Sequence, residues 1–151
     1  NDLVPDYLTS VNEGDFFGWP YAYFKKYFDP RVKEPLPSNV SIRAPDYALG
    51  AHVAALGLVF SSITHFKPPF DQGAFISEHG SWNRKPRSGY KVVFVPFKDA
   101  KAAKIPIDIV FGFLDGDEAY GRPVGLILDS KESLLIADDV GNRIWRVSQK
   151  N

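Results

Sequence analysis

Residues 79–84 (HGSWNR) place a histidine, a tryptophan, an asparagine and an arginine in one short loop, with Arg87 close behind. His79, beside Glu78, could donate to a cofactor, act as an acid or base, or ligate a metal, or it could simply orient the loop. His52, in Gly50–Val53 (GAHV), could reach the same pocket or be an ordinary partly buried histidine. Arg84, Arg87 and Arg122 each offer a planar fork of donors suited to carboxylates or phosphates. Arg122 is the best placed, because Pro123 fixes the backbone just behind it, although a structural salt bridge is the alternative. Asp138, Asp139 and Asn142 supply oxygen ligands that calcium accepts, but their spacing is not that of an EF-hand and favours a tight turn bonded to its own backbone. His65 precedes FKPPF and carries no functional role. Residues 14–20 (GDFFGWP) hold too few glycines for a phosphate loop, and no Gly-x-Ser-x-Gly, His-Glu-x-x-His or dinucleotide fingerprint occurs.

The elements that must hold these loops read as strands. Runs rich in Phe, Ile and Val predict strands near 54–60, 74–77, 90–97 and 107–113, which make one four-stranded antiparallel blade. A shortened copy follows: 56–60, 73–77 and 90–95 correspond in order to 124–128, 133–137 and 143–147. Such an internal repeat of antiparallel strands predicts an all-β fold of β-propeller blades, since one sheet cannot bury both faces alone. Residues 3–11 predict the third strand of a blade whose first half lies upstream, and the aromatic run Phe16–Phe24 reads as packing. Pro30, Pro35, Pro37 and Pro45 predict a surface excursion across 29–45. The expected organisation is therefore 1–50 as the end of a blade with a proline-rich loop, 51–114 as a complete blade, and 115–151 as three strands of the last one.

In such a blade the entry to the first strand and the link between the second and third lie at the same end. Residues 1–6, the approach at His52, and loops 79–84, 120–122 and 138–142 are therefore expected on one face, where the ligand should bind. Residues 61–70 and the lysine-rich 98–104 fall at the other end.

Composition narrows the classes. The 151 residues are 44% hydrophobic and 15% aromatic, enough for a core, and eighteen basic residues balance eighteen acidic ones, unlike the footprint of a nucleic-acid binder. No apolar run approaches the roughly 20 residues of a spanning helix. Without cysteine there is neither a disulfide framework nor a thiolate site, and the redox compartment is left open. A chain that starts at Asn1 with no signal-like segment reads as a processed product or a piece of a larger protein.

Val4–Ser10 (VPDYLTS), Phe17–Pro20 (FGWP), Pro45–His52 (PDYALGAH), His79–Arg84 (HGSWNR) and Tyr120–Gly125 (YGRPVG) together resemble the glucose/sorbosone dehydrogenase family, close to its sorbosone branch. The likeness covers almost the whole chain and corresponds to the C-terminal portion of that family's six-bladed propeller. It implies a protein that holds pyrroloquinoline quinone (PQQ) and calcium on one face and oxidises sugars in the periplasm or outside the cell. It implies that Arg122 contacts the quinone's carboxylates. No lysine stands where the family's cofactor-contacting lysine would fall, so His79, Asn83 or Arg84 would substitute, with His52 and Tyr120 nearby. Only the end of the family's calcium loop, around Asn1–Asp6, falls within the chain, which leaves Asp6 as a partial ligand. The catalytic histidine has no match, so the chain alone is expected to be inactive, with the remaining blades or self-association covering its open edges. A non-catalytic propeller used for binding is the rival reading.

Overall fold

The computed structural model describes residues 3–61, 66–103, 105–131 and 133–149, and its fold is all-β. Its strands in chain order are β1 (Pro5–Leu8), β2 (Ala22–Tyr23), β3 (Tyr27–Phe28), β4 (Tyr47–Ala51), β5 (Ala55–Phe60), β6 (Gly73–Glu78), β7 (Lys91–Lys98), β8 (Lys101–Ala102), β9 (Ile107–Val110), β10 (Leu114–Asp115), β11 (Glu118–Ala119), β12 (Pro123–Leu128), β13 (Leu134–Asp138) and β14 (Arg143–Val147). His65, Asn1, Asp2 and Lys104, all named in the sequence reading, lie outside the described residues. Two compact units are present, one of residues 7–49 and one of residues 1–6 with 50–151.

In the larger unit, β5, β6, β7 and β9 form an antiparallel meander, with β8 folded onto the end of β7. Glu78 stands opposite both Ala55 and Lys91, and Val93 opposite Asp108, which fixes the register across the sheet. β12, β13 and β14 repeat the first three strands of that order, pairing Leu126 with Ile136 and Ile136 with Trp145. The side-chain period of two sends Phe75 and Ser77 of β6 to one face and Ile76 and Glu78 to the other.

The two sheets pack through the first of these faces. Phe75, Val92 and Phe94 from one sheet, with Phe66 from the segment between β5 and β6, meet Leu134 and Ile136 from the other, and Leu126, Leu128 and Val147 pack against them. The Phe75 ring lies 4.9 Å from Phe94 and 5.0 Å from Phe66. At the inner strands the approach is close: a Cβ on Gly57 would collide with the Val124 carbonyl, so only glycine fits there. The Ser77 hydroxyl uses that gap, accepting from Gly57 N at 2.7 Å and donating to the Val124 carbonyl of the neighbouring sheet. These are adjacent blades of a β-propeller.

Residues 7–49 carry little regular structure beyond the β2–β3 hairpin and the pairing of β1 with β4. A polar knot holds the proline-rich excursion. Arg43 pairs with Asp15 and reaches Ser10 Oγ at 2.8 Å, while Asp46 accepts from Ser10 N at 2.7 Å. Hydrogen bonding lowers both carboxyls below the usual range, with Asn12 the main donor to Asp15 and Ser10 to Asp46.

Three expectations change. The opening strand is shorter than 3–11, and β4 forms where no strand was expected, because a run of small residues (Tyr47–Ala51, YALGA) gives a weak strand signal. Trp19, read as packing, is 83% exposed.

Candidate functional site

β6 ends at Glu78, and the chain turns at Gly80 before β7 begins, so His79 is carried at the tip of the blade. Arg122 stands just ahead of β12 in the next blade, and the face-to-face packing of the sheets brings the two together. Arg122 Nη1 lies 3.4 Å from His79 Nδ1 and donates to the Gly80 carbonyl at 3.4 Å, while Nη2 donates to the Tyr90 hydroxyl at 2.8 Å. Its guanidinium carbon sits 4.7 Å from the centre of the Tyr90 ring, in stacking range for a cation over an aromatic face.

A guanidinium can only donate, so His79 Nδ1 must accept, and the ring proton belongs on Nε2. Nε2 in turn donates to Asp139, with both carboxylate oxygens at 3.2 Å. The result is a chain from Asp139 through His79 to Arg122, which orients the imidazole from both sides.

Arg122 is held from behind as well. Asp138, only 4% exposed, accepts from Arg122 N and Gly141 N at 2.8 Å each and from Trp145 Nε1 at 3.0 Å. Burial works against the Asp138 charge, but the bonds from Arg122, Gly141 and Trp145 outweigh it and hold the carboxyl below its ordinary range. Adjacent aspartates therefore do different work: Asp138 closes the turn, as the spacing suggested, and Asp139 meets His79.

Tyr90 is the residue that sequence reasoning missed. It is buried, its hydroxyl donates to the Ser81 carbonyl, and it accepts from Arg87 Nη1 at 3.3 Å as well as from Arg122. Its backbone is left-handed, at φ 61°, a costly conformation for a bulky residue. His52 (φ 59°), Ala54 (φ 52°) and Asn142 (φ 51°) share that strain, and all four belong to loops or strand starts at this end of the blades. Gly80 is obligatory beneath Tyr90: at φ 99° it adopts a conformation few other residues take, and a Cβ there would enter the aromatic ring.

The other expected residues divide. His52 and Asn83, with Asp6, Gly80, Ser81 and the 81% exposed Trp82, line a cleft of about 310 Å³. Arg84 turns to the Ala51 carbonyl at 3.4 Å, and the exposed Tyr120 bonds Glu118 at 3.2 Å rather than joining the Arg122 cluster. Asp6 accepts from Ala54 N at 2.9 Å, and no group of three or more His, Cys, Asp or Glu suited to a metal occurs among the described residues.

Glu78, noted in the sequence only as the neighbour of His79, stands out in the structure. It is 2% exposed, and its Oε2 lacks a hydrogen-bond partner. Burial pushes its carboxyl up to about 7, Asp108 and Asp6 add to the rise, and Lys91 opposes it. Arg87 Nε is likewise buried without a hydrogen bond, lying 3.5 Å from Asp117 Oδ1.

Solved structures share this architecture. The calcium structure of a Trichoderma reesei protein of Carbohydrate-Active Enzymes Family AA12 superposes with a TM-score of 0.77 at 20% identity, over 99% of this chain and 44% of that one. The holo form of the pyranose dehydrogenase PQQ domain from Coprinopsis cinerea gives 0.65 at 21% identity, over 89% and 40%, and a glucose dehydrogenase gives 0.66 at 17% identity, over 99% and 40%. An uncharacterized protein of Borreliella burgdorferi is 34% identical over 150 residues, 97% of this chain and 40% of its own length. The chain thus spans less than half the length of the proteins it matches. Residues 37–150, which carry His52, His79, Tyr90, Arg122 and Asp139, match the TrAA12-like family model, and the chain belongs to that family.

Proposed function

We propose that the chain forms part of a PQQ-dependent sugar dehydrogenase of the sorbosone-like type, at the C-terminal side of its propeller, acting in the periplasm or outside the cell. One observation carries the reading. At the tip of two blades, the Arg122 guanidinium is held by a phenol, a backbone carbonyl and an imidazole, and no carboxylate pairs with it among the described residues. A cation so placed, stacked on Tyr90 and restrained from behind by Asp138, fits the carboxylates of the quinone.

When bound, the quinone supplies the electron sink that accepts hydride from the sugar. The residues of this chain would bind and orient: Arg122 would take a carboxylate, and His79, its ring fixed by Asp139, holds the Arg122 guanidinium in place. Asn83 and His52 line the adjoining cleft, where a sugar or the cofactor's edge would find polar partners. Among the described residues no three or more His, Cys, Asp or Glu are grouped for a metal, so calcium would need ligands from other parts of the protein.

The test uses the full-length natural protein. Reconstitution with PQQ, with and without calcium, should give dye reduction with aldoses or with an aldehyde sugar such as sorbosone, and Arg122→Gln should abolish it. Neither PQQ uptake nor dye reduction across the panel would refute the proposal.

A further inference from the structure

The Tyr90 hydroxyl has one proton and two lone pairs, and the structure uses all three. The proton goes to the Ser81 carbonyl, and the lone pairs receive Arg87 Nη1 at 3.3 Å and Arg122 Nη2 at 2.8 Å. Two guanidinium groups from different blades therefore converge on a single neutral oxygen. Like charges drawn together in this way repel, and the arrangement is favourable when something anionic bridges them.

The charged groups nearby do not fill that role. Asp139 is taken by His79, and Asp117, 66% exposed at its side chain, forms an ion pair with Arg87 Nε at 3.5 Å but none with Arg122, so no described carboxylate bridges the two guanidiniums. Arg87 is otherwise spent on backbone, donating to the Ser81 and Trp82 carbonyls at 3.3 and 3.4 Å. Its buried Nε makes no hydrogen bond and faces the Asp117 carboxylate. Tyr90 itself is held at positive φ with Gly80 hollowed beneath its ring, a strained backbone of the kind found at binding sites.

We propose that Tyr90 is a positioning residue, which pairs Arg87 with Arg122 into a two-guanidinium cradle for a ligand bearing more than one carboxylate. This deepens the quinone reading above and rests on it for the identity of the ligand. Arg87 then becomes a second contact to the cofactor, beside Arg122.

Binding of PQQ to the full-length natural protein, followed by quenching of protein fluorescence, tests the pairing apart from turnover. Tyr90→Phe keeps the aromatic platform and removes the hydroxyl. The expected result is a Kd about tenfold weaker with a melting temperature within a few degrees of the unsubstituted protein, the size of one hydrogen bond to a charged group. Arg87→Gln should weaken binding to a similar degree, and the double variant should lose little more than either, because both act through one arrangement. Tyr90→Phe binding within twofold of the unsubstituted protein, or losses that add fully, would overturn the proposal. Should Tyr90→Phe fold poorly, Arg87→Gln decides by the same criterion. If the unsubstituted protein takes up no quinone, the functional reading fails. The positioning claim is then decided by a crystal structure of Tyr90→Phe: guanidiniums that separate support it, and guanidiniums that stay in place overturn it.

Discussion

Replacing Glu78 with glutamine should stabilise the protein at alkaline pH and leave it nearly unchanged in mild acid. Glu78 is buried at the end of β6, its Oε2 is unpartnered, and its carboxyl is pushed from an ordinary 4.5 to about 7, chiefly by burial. Between those values the folded protein holds the proton more tightly than the unfolded chain does. Stability therefore falls as pH rises from 4.5 to about 7 and levels off above that. At about 1.4 kcal/mol per tenfold change in proton affinity, the loss across the window is about 3 kcal/mol. Glutamine has nearly the same shape and no proton to lose, and Lys91 retains Asp108 at 2.8 Å. Urea unfolding of both proteins at about pH 5 and pH 8 isolates the effect, because every other titrating group cancels in the difference. The substitution should be worth about 2 to 3 kcal/mol at the higher pH and less than about 1 at the lower. Parallel pH dependence in the two proteins would refute the reasoning, and show that Glu78 is solvated or paired in solution.

Ser77→Ala should cost about 1–3 kcal/mol in urea unfolding, since it strands Gly57 N and the Val124 carbonyl between the sheets. Gly80→Ala should cost more than about 2 kcal/mol and disturb the near-ultraviolet signal of Tyr90, because the added carbon meets the ring at a left-handed backbone position. Asp138→Asn should cost about 1–3 kcal/mol near neutrality, and the penalty should shrink as pH falls below the ordinary carboxyl value of 3.8, where the native charge is lost. The exposed Leu56, Phe60, Ile127 and Ile144 should drive the isolated chain to associate, so a monodisperse monomer in light scattering at high concentration would contradict that expectation.

The blades were legible because their strands are dense in Phe, Ile and Val and recur in the same order, and strand alternation alone told which loops share an end. That was enough to place His79 and Arg122 on one face; their pairing emerged only from the structure. β4 was not legible, since Ala48, Gly50 and Ala51 carry little strand preference and owe their form to pairing with β1. Tyr90 was hidden for a different reason: an aromatic residue at the start of a strand reads as core, and no pattern announces a left-handed backbone at a non-glycine position. Glu78 was hidden by its neighbour. A carboxylate beside a loop histidine looks solvent-facing, yet the alternation that points Ser77 at the second blade turns Glu78 into the interior of the opposite face. Arg84 and Tyr120 shared a stretch of chain with the site, but their side chains find partners elsewhere.

The Ser77 hydroxyl is a single atom bonded to two sheets. It lies two residues before His79 on one blade, and its acceptor, Val124, lies two residues after Arg122 on the other. The rivet is thus set two residues along the chain from each of the paired side chains it serves. Sliding one sheet past the other would strain this bond, which ties the spacing of imidazole and guanidinium to the seam beneath them. The precision of the rim comes from below it, out of reach of whatever binds above.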